Sequence, residues 1–143
     1  MAATPSFIIR LEIEDLLAAY WHEVDANRGQ EAHLFFTEDA VYRHSGAPDL
    51  VGQAAIRAYY ASRRARGPRV ARHVMSNVRV THAANGEARC NSIVLLFAAD
   101  GAPVLPSAPP ILIADVVDDC QRQRDGQWRF RSRLIDAVFK NAG

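Results

Sequence analysis

The sequence is poor in cysteine and contains no long apolar run. Cys90 and Cys120 are its only cysteines, and they are too far apart in the chain to indicate a disulfide scaffold or a zinc site. No stretch approaches the ~18 consecutive apolar residues of a membrane span, and the first residues lack the basic region, apolar core and cleavage site of a secretory signal. We therefore expect a cytoplasmic protein, not associated with a membrane, that keeps two buried free thiols.

Several motifs of cofactor-dependent chemistry are also absent. The sequence has no glycine-rich phosphate loop, no serine-centred nucleophile elbow and no C-x-x-C redox pair. His22, His33, His44 and His82 are not spaced as metal ligands. We expect neither a cofactor nor a metal.

Lysine is nearly absent, and arginine takes its place. Lys140 is the only lysine against sixteen arginines, and the net charge is +1. No aromatic residue is interleaved with residues 63–72 and the pI is only about 7.9, which argues against a nucleic-acid partner. We interpret the cluster as solvated surface, with an anionic substrate or partner as the alternative. Six arginines form this cluster: Arg57, Arg63, Arg64, Arg66, Arg69 and Arg72.

Length and composition are those of one globular unit. The 143 residues are 49% apolar and 23% charged, which is typical of folded domains. A chain of this length buries roughly 70% of the surface that its unfolded form exposes. No linker or internal repeat divides the sequence, so we expect a single domain over residues 1–143.

The order of periodic segments predicts an α+β fold. Apolar residues at helical spacing indicate a helix over residues 8–28, a short helical turn over 30–36 and a third helix over 53–66. A strand begins at residues 39–42, and four β-rich runs follow at 70–82, 87–98, 111–122 and 128–139. Asn85-Gly86 and Asp125-Gly126 are two-residue hairpin signals. We expect three N-terminal helices on one side of a strongly curved, mainly antiparallel sheet.

The last β-rich run is predicted to have one wet and one dry face. Arg129, Arg131 and Arg133 alternate with Trp128 and Phe130, and side chains of a strand point alternately to its two faces. We expect these three arginines on the solvent side.

Two polar residues stand where apolar side chains are expected. Asp25 lies four residues after Trp21 and eight after Leu17, so it continues the apolar stripe of the first helix. His73 alternates with Ala71 and Met75 on the first long strand. Because an unpaired buried carboxylate is costly, we expect Asp25 and His73 to pair across the helix–sheet interface, as a structural pair or as a catalytic one.

The order of elements, together with FFTEDAVYR, GQAAIRAYY and RHVMSNVRV, resembles the SnoaL-like branch of the nuclear transport factor 2 (NTF2-like) superfamily. The resemblance covers about residues 9–140 and implies a cone-shaped, cystatin-like α+β barrel around a hydrophobic cavity. It leaves the chemistry open, because the superfamily includes dehydratases, isomerases, cyclases, epoxide hydrolases and non-catalytic subunits.

The same resemblance implies roles for individual residues. Asp25 and His73 look like the catalytic pair of scytalone dehydratase and hexachlorocyclohexane dehydrochlorinase, and Tyr42 falls where those enzymes place an aromatic pocket residue. Asp25 would then fix the tautomer of His73, which would remove a proton from carbon. Two departures weaken an exact match: Tyr20 stands where the dehydrochlorinase has a lysine, and the strand after that of His73 has no second histidine.

Further side chains are expected to contact a substrate. Trp21 and Tyr59 lie on the inward faces of their predicted helices, and Tyr20 and Tyr42 are candidate donors to a developing oxyanion. Asp115 is a candidate second carboxylate, as in the epoxide hydrolases of the superfamily. The full set of predicted substrate-binding residues is Tyr20, Trp21, Tyr59, Met75, Asn77 and Asp115.

These observations predict a cofactor-independent lyase of the dehydratase type, or an isomerase, acting on a small, largely apolar cyclic molecule. The alternatives are a non-catalytic small-molecule binding protein and an assembly subunit like the β-subunit of ring-hydroxylating dioxygenases. Since relatives are commonly dimers or trimers, the resemblance also implies a homo-oligomer.

Overall fold

The first helix is built from the apolar stripe seen in the sequence. The computed structural model describes residues 4–141, and in it helix α1 spans Ser6–Ala26. Ile13, Leu17 and Tyr20 recur at three- and four-residue spacing and are wholly buried, as an amphipathic helix requires. The helix ends before Arg28 and Gly29, whose φ angles of 55° and 71° are incompatible with a continuing right-handed helix.

The predicted second helix is not an α-helix, so residues 4–141 contain two α-helices where three helices were expected. Ala32–Phe35 forms one 3₁₀ turn, because only a few residues separate Gly29 from the first strand and a stable α-helix needs more than one turn. Helix α2 spans Gln53–Ala65, as predicted, and buries Ile56 and Tyr60.

One mixed six-stranded sheet carries the rest of the chain. The strands are β1 Phe36–His44, β2 Leu50–Val51, β3 Arg69–Ala84, β4 Glu87–Asp100, β5 Leu112–Arg122 and β6 Trp128–Lys140. Their order across the sheet is β2-β1-β6-β5-β4-β3. Within residues 4–141, β1 and β6 are the one parallel pair of neighbours, so the sheet is mainly antiparallel. The sheet is also curved, and it stays open at its edge strands β2 and β3. The α+β fold predicted from the sequence is confirmed.

The two predicted hairpins turn out differently. Ala84 pairs with Glu87, and Asn85 and Gly86 both have positive φ angles, 54° and 72°, as a two-residue type I′ turn requires. Strand β5 instead joins β6 through residues 123–127, since the last pair is Arg122 with Trp128. The prediction of a two-residue turn at Asp125-Gly126 was therefore wrong: the Asp125 carboxylate accepts the Gln127 N–H at 2.9 Å and closes a longer loop.

Two β-bulges change which side chains face the interior. The pairing of β5 with β6 shifts between Asp119 and Cys120, and the extra residue reverses the alternation of β6. Arg133 is consequently wholly buried, so the prediction that it lies on the solvent face was wrong. On β3 the pairing shifts after Ser76, where Asn77 has a φ of 54° and is exposed.

Cys90 and Cys120 are both buried free thiols, as predicted. Within residues 4–141, no helix is long and apolar enough to cross a membrane.

Candidate active site

Asp25 and His73 meet where the last turn of α1 crosses β3. The His73 Nδ1 lies 2.6 Å from Asp25 Oδ1, and the His73 backbone N–H donates to Asp25 Oδ2 at 2.8 Å. Both side chains are 11% exposed. Since both carboxylate oxygens are engaged by one residue, the carboxylate is fixed relative to the imidazole in position and in rotation.

The imidazole ring is also held from its flat side. The Trp21 indole stacks on it, with ring centroids 4.2 Å apart and planes 8° apart. Trp21 precedes Asp25 by one helical turn, so a single helix face supplies both contacts. Because Asp25 occupies Nδ1, the nitrogen that remains for chemistry is Nε2, which has no hydrogen-bond partner among residues 4–141.

Burial and Asp25 act on the charge of His73 in opposite directions. Burial is the larger effect and lowers the pKa of His73 below its ordinary 6.5, while the hydrogen bond to Asp25 raises that pKa in part. Arg133 and Arg63 lower it further. The imidazole is therefore neutral at pH 7, with its proton on Nδ1 for Asp25 and a free electron pair on Nε2.

A small pocket opens beside the pair, with a volume of about 50 Å³. Two of its lining residues, Tyr60 and His73, are largely buried, and four of the other seven are arginines. The Tyr60 ring packs directly against Gly29, because an added Cβ at that glycine would lie 2.5 Å from the ring. The lining residues are Val24, Asp25, Arg28, Tyr60, Arg63, Arg64, Arg69, Ala71 and His73.

The interior beneath this pocket contains an ion pair that the sequence patterns did not reveal. Arg133 Nε lies 3.0 Å from Asp118 Oδ1, and both side chains are 0% exposed. The N–H is not aimed at the oxygen, so neither group forms a hydrogen bond within the described residues. The Arg133 guanidinium lies over three aromatic rings, 4.6 Å from that of Tyr20 and 4.5 Å from those of Trp21 and Phe130.

Asp118, not Asp115, is the interior carboxylate of β5. Val116, Asp118 and Cys120 are buried, whereas Asp115 is exposed on the opposite face. The placement of Asp115 near the substrate was wrong, and so was that of Asn77, which the bulge in β3 turns outward. The alternation of Ala114, Val116 and Cys120 was a usable signal for Asp118; a bulge at Arg131 leaves no comparable signal for Arg133.

The remaining predicted residues lie in the core or pack against it, and none of them lines the pocket at His73. Tyr20 and Tyr42 are buried, with ring centroids 6.4 Å apart, and neither lines the pocket at His73. Tyr20 instead reaches the Tyr60 hydroxyl with its own. Met75 packs against the core from β3. Tyr59 accepts a hydrogen bond from Arg63 at 3.1 Å.

The interior tyrosines are neutral donors. Burial raises the pKa of Tyr20, Tyr42 and Tyr60 above the ordinary value of 10.0, so each keeps its hydroxyl proton at neutral pH. Tyr60 is the one among them that lines the pocket, a role that its place in the sequence did not indicate. Within residues 4–141, no group of three or more histidine, cysteine or acidic side chains is arranged to hold a metal ion.

Comparison with known proteins identifies the family of this chain. The profile of the SnoaL-like domain matches residues 7–134. Among curated proteins, none matches the chain significantly.

Three solved structures illustrate the fold similarity. A Catenulispora acidiphila protein in complex with S-DNPA has a TM-score of 0.78 at 21% identity, covering 92% of this chain and 95% of that one. A provisionally assigned scytalone dehydratase from Novosphingobium aromaticivorans has a TM-score of 0.79 at 22% identity, and the match covers 93% of this chain and 86% of that one. The β-subunit of a provisionally assigned aromatic-ring-hydroxylating dioxygenase from the same organism has a TM-score of 0.80 at 15% identity, and the match covers 96% of this chain and 94% of that one. At these identities the likeness concerns the fold alone.

Proposed function

The chain belongs to the SnoaL-like family of the NTF2-like superfamily, and we propose that it is a cofactor-independent lyase of the dehydratase type, or an isomerase, acting on a small cyclic molecule. The observation that carries this proposal is the position of His73, whose Nδ1 is held by Asp25 and which lines a pocket. A histidine kept unprotonated by burial and oriented by a carboxylate has the properties of a general base.

The proposed reaction begins when His73 Nε2 takes a proton from a carbon of the substrate. The electrons of that C–H bond move toward a neighbouring carbonyl or leaving group, and the imidazolium that forms is stabilised by Asp25 at 2.6 Å. In a dehydration, the imidazolium then gives its proton to the departing hydroxyl, which leaves as water. In an isomerisation, it returns the proton to a different carbon.

Negative charge developing on a substrate oxygen needs a donor. Tyr60 lines the pocket and keeps its proton because burial raises its pKa, so its hydroxyl is the candidate donor. Tyr20 contacts the same hydroxyl and would support it from below. Tyr42, which is also buried, is a second candidate for this supporting role.

The test is a panel of cyclic ketones and cyclic β-hydroxy ketones incubated with the protein in D₂O and followed by NMR. Deuterium incorporation beside the carbonyl reports proton abstraction, and loss of water reports elimination. We expect at least one of these with one class of compound. Binding of panel members without exchange, elimination or rearrangement would contradict the proposal and favour a receptor.

The pH dependence of any activity found follows from the His73 pKa. The active form is the neutral imidazole, and burial lowers its pKa below 6.5. The value of kcat/KM is therefore expected to be level at pH 7 to 8 and, below the His73 pKa, to fall about tenfold per pH unit. His82→Gln, which alters an exposed histidine, should leave this profile unchanged. An inflection above pH 6.5 would show that another group controls the rate.

One observation favours a second candidate function, a non-catalytic assembly subunit. The pocket of about 50 Å³ is smaller than the ~300 to 1,000 Å³ of most ligand sites, and one neighbour in fold is a dioxygenase β-subunit. Co-purification of the protein with an iron-containing partner, with no reaction in the panel above, would support this alternative.

A further inference from the structure

The pocket beside the Asp25–His73 pair is strongly basic. Four of its lining residues are the arginines Arg28, Arg63, Arg64 and Arg69, and Asp25 is the one acid among the lining residues. Both oxygens of that acid are already engaged by His73. Four arginines thus line a small space in which the one lining carboxylate is already engaged, an arrangement that mutual repulsion disfavours.

The four arginines come from three parts of the chain, and two of them have a structural task. Arg28 donates to the Gly67 carbonyl at 2.6 Å, and Arg64 donates to the Arg28 carbonyl at 3.2 Å. These bonds tie the segment after α1 to the end of α2. They explain the position of Arg28 and Arg64 without a ligand.

Arg63 and Arg69 are not explained in this way. Arg63 donates to the Tyr59 hydroxyl at 3.1 Å, and this is a neutral acceptor. Arg69 opens β3 and has a buried Nε with no partner among residues 4–141. Neither forms a salt bridge within that part of the chain, whereas the exposed Arg43, Arg89 and Arg131 all do. Asp100 lies opposite Arg69 in the pairing of β3 with β4 and raises the Arg69 pKa, but it forms no salt bridge with it. Among residues 4–141, both guanidinium groups at the pocket therefore lack an anion in salt-bridge contact.

The structure assigns this anion to the substrate: we infer that the molecule bound beside His73 carries a carboxylate, which Arg63 and Arg69 bind. The inference rests on the proposed function for the position of the reacting carbon, but not for the binding itself. A guanidinium fork matches the two oxygens of a planar carboxylate. The pocket is small, about 50 Å³, which favours a compact anionic group there over a large one.

The pKa of Arg69 reflects its burial among like charges. Burial lowers this pKa, Arg63 lowers it further, and Asp100 raises it in part. A bound carboxylate would oppose the two lowering effects. It would also sit close to His73, whose pKa Arg63 lowers, so occupancy is expected to raise the basicity of His73.

Benzoate and benzamide test the inference, because they share a shape and differ in charge. Isothermal titration at fixed ionic strength should show benzoate binding to the wild-type chain at least about tenfold tighter than benzamide. Arg69→Gln and Arg63→Gln should each remove about tenfold of the benzoate affinity and leave benzamide unchanged. Arg72→Gln is the matched control, since Arg72 lies on the same strand and is exposed. Circular dichroism checks that each variant is folded.

Equal binding of the two probes, or an equal loss with Arg72→Gln, would overturn the inference. Inorganic phosphate binding in preference to benzoate would overturn the carboxylate assignment. His73→Gln should still bind benzoate, which separates this site from the proposed reaction. Arginine-dependent benzoate binding without turnover of any substrate would overturn the proposed function alone, and histidine-dependent turnover without benzoate binding would overturn this inference alone.

Discussion

His73→Gln is expected to lower turnover about 10²- to 10⁴-fold without unfolding the protein. The substitution removes the basic Nε2 but keeps a polar side chain next to Asp25, so the 2.8 Å bond from the backbone N–H of residue 73 to the Asp25 carboxylate can persist. Asp25→Asn should lower turnover by a comparable factor, because a neutral amide neither stabilises the imidazolium nor enforces the Nδ1–H tautomer. Steady-state kinetics on a substrate from the NMR panel measures both effects.

Thermal unfolding provides the necessary control for these two variants. Both side chains are 11% exposed, and neither substitution creates a large cavity, so we expect melting temperatures close to that of the wild-type chain. His82→Gln, in an exposed position on the same strand, should keep full activity. Wild-type turnover in both His73→Gln and Asp25→Asn would make the pair structural and end the proposed mechanism.

Arg133→Met is expected to destabilise the protein by about 3 to 5 kcal/mol, since it leaves the buried Asp118 carboxylate without its counter-charge. Asp118→Leu should have a similar effect by stranding the guanidinium. Both side chains are 0% exposed and lie 3.0 Å apart at Nε and Oδ1. The double variant Arg133→Met/Asp118→Leu should recover much of the loss, because no buried charge then remains. Urea unfolding of the four proteins gives the coupling free energy.

The matched control for this cycle lies two residues away on β6. Arg131 forms an ion pair with Glu87 at 3.4 Å, with side chains 51% and 48% exposed. Exposed pairs of this kind contribute about 0 to 1 kcal/mol, so Arg131→Met should change the unfolding free energy little. If Arg133→Met were no more destabilising than Arg131→Met, the buried pair would contribute no more to the free energy of unfolding than an exposed pair does.

The part of the site that sequence reasoning located was the part that follows simple periodicity. Asp25 continues the helical stripe of Leu17 and Trp21, and His73 continues the alternation of Ala71 and Met75. No irregularity interrupts either element between these residues, so the side-chain directions implied by 3.6- and 2-residue periods hold. The meeting of the two residues could be expected because neither has a suitable partner on its own element.

The errors arose where the backbone departs from those periods. A bulge in β6 turns Arg133 inward, and a bulge in β3 turns Asn77 outward. Each reverses the direction of the side chains that follow it, up to the next register shift on its strand, and neither is marked by a glycine in the sequence. Asp115 was misplaced for a simpler reason: three aspartates on one strand left the alternation ambiguous until the buried Val116 and Cys120 fixed it.

The arginine cluster shows a different limit of sequence reasoning. Charge composition identified Arg63 and Arg69 as members of a basic segment, but it could not place them around the pocket of His73. That arrangement depends on the end of α1, the end of α2 and the start of β3 converging in space, with Arg28 contributed from far earlier in the chain. An arginine cluster on a solvated surface and one at an anion-binding site can have the same local sequence, so the sequence does not distinguish them.

The position of the proton on His73 tests the central claim most directly. Long-range ¹H–¹⁵N NMR of the imidazole, assigned with His73→Gln, distinguishes the two neutral tautomers from the imidazolium. The account predicts that at pH 7 the ring carries a proton on Nδ1 and none on Nε2, and that it protonates only below pH 6.5, because burial lowers its pKa. A proton on Nε2, or an imidazolium at pH 7, would contradict it, since His73 would then have no electron pair available to act as a base.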